Sequence, residues 1–227
     1  MEKNTNISVI ANNFEKYISF KIDSLQFIDS FQFMSSSLDR LASNLPEDKF
    51  IYTDLKFKDL EPFQLEILKK KGIYPYSYMD SFSRFEETEL PPIEKFYNNL
   101  DNTNISDSEY RHAREVWDAF QIKNLGEYHD LYLETDVLLL ADVFENFRET
   151  CLKYYGQDPC HYFTSPGLAW DAMLKMTKVE LDLISDIDMQ LFIEKGLRGD
   201  LSYIAHRYAK ANNKYLEIIT LKLKTLI

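Results

Sequence analysis

EYHDLYLETDVLLLADVFENF, Glu127–Phe147, is the stretch from which the rest of the chain is read. Steps of four, four, three, four and four residues pick out Tyr128, Tyr132, Asp136, Leu139, Val143 and Phe147. That spacing traces one face of an α-helix. Asp136 is the only charge on that face. Around it VLLLA is apolar on every side, which predicts a helix buried at mid-length. A buried carboxylate is costly without a partner. Either backbone donors or a nearby arginine hold Asp136, or it faces a pocket.

The 227 residues are 45% hydrophobic and 15% aromatic, enough for a real core in one or two domains. No apolar run approaches the roughly 20 residues of a membrane span. MEKNTNISVIANN lacks the apolar stretch of a signal peptide. Two cysteines, Cys151 and Cys160, are too few for a disulfide framework, and four scattered histidines argue against structural zinc. The chain reads as intracellular, with both thiols reduced; organelle, nucleus and cytoplasm are not distinguished.

The net charge of −11 is uneven. From Lys195 to Ile227 seven Lys/Arg face two acids, leaving 19 bases against 35 acids in residues 1–194. A solvated basic tail and a phosphate-contacting segment both fit that asymmetry.

Local patterns give a small β region followed by helices. YISFKIDSLQFIDS alternates at Ile18, Phe20 and Ile22 and turns at Asp23–Ser24, predicting a hairpin. SSSLDRLASNL predicts a short serine-capped helix burying Leu38, Leu41, Ala42 and Leu45. EPFQLEILKKK predicts a second helix, stopped by Gly72. GIYPYSYMDSF is aromatic and Pro-punctuated, a loop packed on the body, and LPPIEKF is another turn region. SDSEYRHAREVWDAF opens with a capping box from Ser106 to Glu109. After the long helix, YYGQDPCHYFTSPG breaks the chain. Ser165 as N-cap, with Pro166 in the first turn, then begins a helix over GLAWDAMLKM, and Asp186 caps another over SDIDMQLFIEKG.

YLETD fits Tyr-x-x-x-Asp, the third exonuclease motif of family B DNA polymerases. DLYLETDVLLLADVFENFRETCLKYYGQDPCHYFTSPGLAWDAMLK, GIYPYSYMDSF, DIDMQLFIEKGLRG and HRYAKANN resemble the protein-primed organellar and viral branch in order. The resemblance covers most of residues 7–213; KYLEIITLKLKTLI after it matches no pattern of the family. It implies an α+β, predominantly helical chain: a partial ribonuclease H-like exonuclease domain with an N-terminal β-hairpin over residues 1–156, then a connector and the start of a polymerase palm over 157–227. It implies template-directed DNA synthesis with 3′→5′ proofreading in the intact enzyme, with DNA, dNTP and a terminal protein as partners and Mg2+ or Mn2+ as cofactor.

By that resemblance Asp136 supplies a metal ligand, since hard divalent ions take carboxylate oxygens. Tyr132, one turn earlier, orients the attacking water, and the two line a cleft without a Lys or Arg partner. The family's first two exonuclease motifs, an Asp-x-Glu pair and an Asn-to-Asp element, are expected upstream of this sequence. Asp59-Leu60-Glu61 and Asp107-Ser108-Glu109 mimic the pair but stand at helix starts, where acids are favourable caps. Asn98 to Asp101 reads as turn chemistry. Asp186-Ile187-Asp188 echoes a palm motif but caps a helix. The chain therefore reads as an internal slice, inactive alone.

GLRGDLS resembles the Tyr-x-Gly-Gly element that touches single-stranded template. Leu197 replaces its aromatic and Asp200 its second glycine, while Arg198 and Gly199 remain. With Arg207 and Lys210 these are candidate DNA contacts; a helix cap with solvated charges is the other reading. A non-catalytic DNA-binding remnant and a helical interaction module without a nucleic-acid role remain open as alternatives.

Overall fold

The computed structural model describes residues 6–13, 16–100 and 102–197. The chain divides into two compact units, Met1–Val179 and Glu180–Ile227. The described residues are mainly helical, with one small antiparallel sheet.

The sheet has the order β1(Ile7–Ala11), β2(Tyr17–Ile22), β3(Leu25–Ile28). The expected hairpin is β2–β3. It pairs Ile22 with Leu25 and Phe20 with Phe27, whose rings stack at 4.5 Å. Asp23 takes the left-handed conformation (φ 51°) that such a tight turn demands and that Asp tolerates. β1 pairs with β2, Ile7 opposite Ile22. ISVIA was not expected as a strand; its β-branched run is the signal that marks it.

Among the described residues four short helices precede one long one. α1(Leu38–Ser43) is capped by the Ser37 hydroxyl, as the serine run suggests. α2(Ile51–Lys56) was not foreseen. α3(Pro62–Leu68) starts at a Glu61–Gln64 capping box and ends before Gly72, not at it. α4(Asp107–Ala119) starts at the Ser106–Glu109 box. Both acidic pairs set aside as helix caps thus lie at the starts of α3 and α4.

α5(Leu125–Tyr155) runs for 31 residues. Asn124 caps its N-terminus by accepting from Glu127 N at 2.9 Å, and Glu127 accepts from Lys123 N in return. Gly156, at φ 61°, ends it in the left-handed conformation that glycine adopts without steric cost. α6(Ser165–Thr177) follows, with Thr164 rather than Ser165 at the N-cap; Ser165 Oγ donates to Gln32 O instead. In the second unit, α7(Ile187–Gly196) is capped by the Asp186 carboxylate, as expected.

α5 is the spine of two clusters. Its first turns pack Leu125 and Tyr128 with Ile67, Phe96, Ala113 and Val116. Further along, Leu139 and Val143 pack with Ala42 and Phe50. Leu139 is fully enclosed, so truncating it to Ala should cost about 2–5 kcal/mol. Tyr132, Thr135 and Asp136 occupy the turn between the clusters. The helix is not buried all round. Leu133, Val137 and Leu140 are exposed, because the clusters take only the Tyr128–Tyr132–Leu139–Val143 side.

Candidate functional site

Tyr132 and Asp136 lie one turn apart on α5, as the four-residue spacing requires. Tyr132 is buried. Gly72 lies flat against its ring: a Cβ there would stand 2.8 Å from Tyr132 Cδ2. The absence of a side chain at Gly72 is what allows this approach. The Tyr74 ring stacks on Tyr132 with centroids 4.7 Å apart, and the Tyr76 hydroxyl hydrogen-bonds the Tyr132 hydroxyl.

Burial pushes the Tyr132 hydroxyl well above the ordinary tyrosine range, reinforced by the bond to Tyr76 and the nearby Asp136 carboxylate. The hydroxyl therefore keeps its proton at neutral pH. A phenol has one hydrogen and two lone pairs, so after the bond to Tyr76 it can still engage a further polar group.

Asp136 is half-buried, and its Oδ1 is enclosed with no hydrogen-bond partner among the described residues. Neither Lys nor Arg forms an ion pair with it there. Burial raises its pKa, and only the more distant charge of Lys71 opposes the rise. An enclosed, unpartnered carboxylate oxygen is a rarity that calls for a ligand or a water. A cavity of about 20 Å³ lies beside Tyr132, lined mostly by apolar groups from Ile67, Val116 and Leu131 together with His112. It has room for one water. Thr135, not Asp136, lines it from the next position on α5.

The other buried carboxylate of α5 escaped the sequence reading. Asp142 is almost fully enclosed. It accepts from Tyr52 N at 2.7 Å, Thr53 N at 3.1 Å and Thr53 Oγ1 at 2.6 Å. It is a structural cap for α2, fully partnered where Asp136 is not. Asp136 Oδ1 has no such partner among the described residues.

In GIYPYSYMDSF no sequence pattern marks the tyrosine hydroxyls that reach α5. Tyr74 and Tyr76 sit two apart around buried Pro75, a spacing that turns both toward α5. Tyr74 Oη lies 2.7 Å from His129 Nδ1, and Tyr128 Oη donates to Ile73 O at 2.5 Å. Burial pushes the Tyr74 hydroxyl up to about 12.

Among the described residues no group of three or more His, Cys, Asp or Glu is gathered to hold a metal. Two-ion chemistry needs several carboxylates, so these residues by themselves do not fit a two-ion centre. Nor is any described helix long and apolar enough to cross a membrane. The candidate DNA contacts Arg198, Gly199, Arg207 and Lys210 lie outside the described residues. No known protein family, curated protein or solved structure matches the chain.

Proposed function

We propose that this chain is part of a protein-primed family B DNA polymerase, and that Tyr132 and Asp136 belong to its 3′→5′ exonuclease centre. The observation that carries the reading is the enclosed, unpartnered Asp136 Oδ1, one helical turn from a protonated tyrosine hydroxyl. In this reading the β1–β3 sheet and α5 belong to a ribonuclease H-like domain, and the later segment leads into the polymerase palm. Asp136 would supply one oxygen for Mg2+ or Mn2+, the ions that support phosphodiester hydrolysis. Tyr132 would hold the water that attacks the terminal phosphodiester of a mispaired primer. The remaining ligands come from elsewhere than the residues described, so no hydrolytic step is assigned to this chain alone. DNA, dNTP and a terminal protein are partners of the intact enzyme.

The coding sequence flanking residues 1–227 is the first test. In-frame Asp-x-Glu upstream and palm aspartate motifs downstream are expected; stop codons on both sides point to a remnant. In the enzyme encoded by the longer frame, Asp136→Ala should abolish excision of a 3′ mismatch and spare primer extension. Equal loss of both activities overturns the assignment.

A further inference from the structure

Tyr132 is gripped by one short loop from three directions, and that loop is itself fastened to α5. Gly72 abuts the ring, Tyr74 stacks on it at 4.7 Å with 21° between planes, and Tyr76 meets its hydroxyl. The fastening runs back to the same helix. Tyr74 Oη reaches His129 Nδ1 at 2.7 Å, and His129, three residues before Tyr132, is half-buried with its ring 4.9 Å from that of Phe85.

A phenyl group at position 74 would stack as well as a phenol. The hydroxyl adds a fixed direction: bound to His129, the Tyr74 ring cannot turn away from Tyr132. With Tyr74 as donor, the imidazole carries its proton on Nε2. A phenolic O–H lies near the plane of its ring. Fixing the Tyr132 ring plane therefore fixes where its hydrogen and lone pairs point, and Tyr76 already takes one of those directions.

We propose that Tyr74 and His129 are positioning residues for Tyr132: their hydrogen bond locks the stacked rings and so aims the hydroxyl directions that Tyr76 leaves free. The consequence for catalysis rests on the exonuclease reading of Tyr132; the geometry does not.

The test is NMR of the tyrosine ring protons in the 227-residue chain, with Tyr132 assigned by substitution. In the wild-type chain Tyr132 should show the upfield shift of a stacked ring and slow ring flipping. Tyr74→Phe and His129→Leu each remove the bond while keeping an apolar ring or side chain in place. Both should reduce the upfield shift and speed flipping about five- to tenfold, the factor that one ordinary hydrogen bond contributes. His129→Gln retains an acceptor and should restore slow flipping, a rescue that a purely space-filling role does not give. Unchanged Tyr132 resonances in both Tyr74→Phe and His129→Leu, or no rescue by Gln, overturn the proposal. In a polymerase containing this segment, Tyr74→Phe should then lower kcat for mismatch excision at unchanged KM. Altered Tyr132 resonances with normal excision leave the positioning intact and refute the exonuclease role of Tyr132.

Discussion

Asp142 caps a helix 90 residues away in sequence: its carboxylate accepts the Tyr52 and Thr53 backbone N–H groups and the Thr53 hydroxyl. α2 has no side-chain cap of its own. Helix N-termini leave N–H groups without partners and favour negative charge, and Asp142 meets both needs from the facing helix.

Removing that cap should be severe. Asp142→Ala leaves buried donors without acceptors, at about 1–3 kcal/mol each, so a loss of about 3 kcal/mol or more is expected. Asp142→Asn keeps one acceptor oxygen and should cost less. Urea denaturation of both variants checks this. A loss under about 0.5 kcal/mol for Ala, the ordinary range for surface substitutions, would show that water replaces the carboxylate.

Gly72→Ala should destabilise by about 1–3 kcal/mol, the usual range for overpacking. The new methyl would sit 2.8 Å from the Tyr132 ring, which Tyr74 blocks from yielding. Thermal unfolding reads the stability, and tyrosine near-ultraviolet circular dichroism reads the ring. A neutral substitution with an unchanged spectrum would show that the loop shifts freely.

How much of this was legible in the chain depends on the range of the interaction. α5 announced itself through a repeating face, the hairpin through alternation, and α4 through the Ser106–Glu109 capping box. All are local. α2 was not legible because its cap is Asp142. Asp142 in turn looked like one more polar residue in LADVF. The exposure of Leu133, Val137 and Leu140 was misjudged because apolar composition cannot say on which side the neighbours pack. Of the candidate site, spacing put Tyr132 and Asp136 on one helical face, and only the resemblance gave them roles. Tyr74, Tyr76 and His129 were not legible, since their contacts to α5 join residues as far as 56 apart.

His112 should make stability fall in mild acid. Its Nε2 is enclosed without a hydrogen-bond partner among the described residues, and burial holds its pKa below the ordinary 6.5. Lys70 pushes in the same direction, while Glu115 and Asp39 oppose. Below 6.5 the unfolded chain binds a proton that the folded chain resists, so stability drops as pH falls until the folded pKa is reached. His112→Gln cannot titrate and should flatten that part of the profile. Unfolding free energies at pH 7.5 and 5.5 decide it; an equal slope in the variant would clear His112 of the effect.

Asp136→Asn should stabilise the isolated chain at neutral pH. The folded pKa of Asp136 is raised, with burial as the main cause, so its ionised form is worse off folded than unfolded. The sign is the reverse of that for a salt-bridged carboxylate. Its cost is present above the folded pKa and disappears as pH falls through that value and the carboxyl takes up a proton. Asparagine keeps the shape without the charge, and its amide can donate to neighbouring carbonyls. The gain should shrink on acidification, as the wild-type side chain neutralises. A residue retained against stability is the expected mark of a functional acid. If Asp136→Asn instead destabilises the chain at pH 7, the carboxylate holds the fold together, and the case for a ligand at Asp136 Oδ1 falls with it.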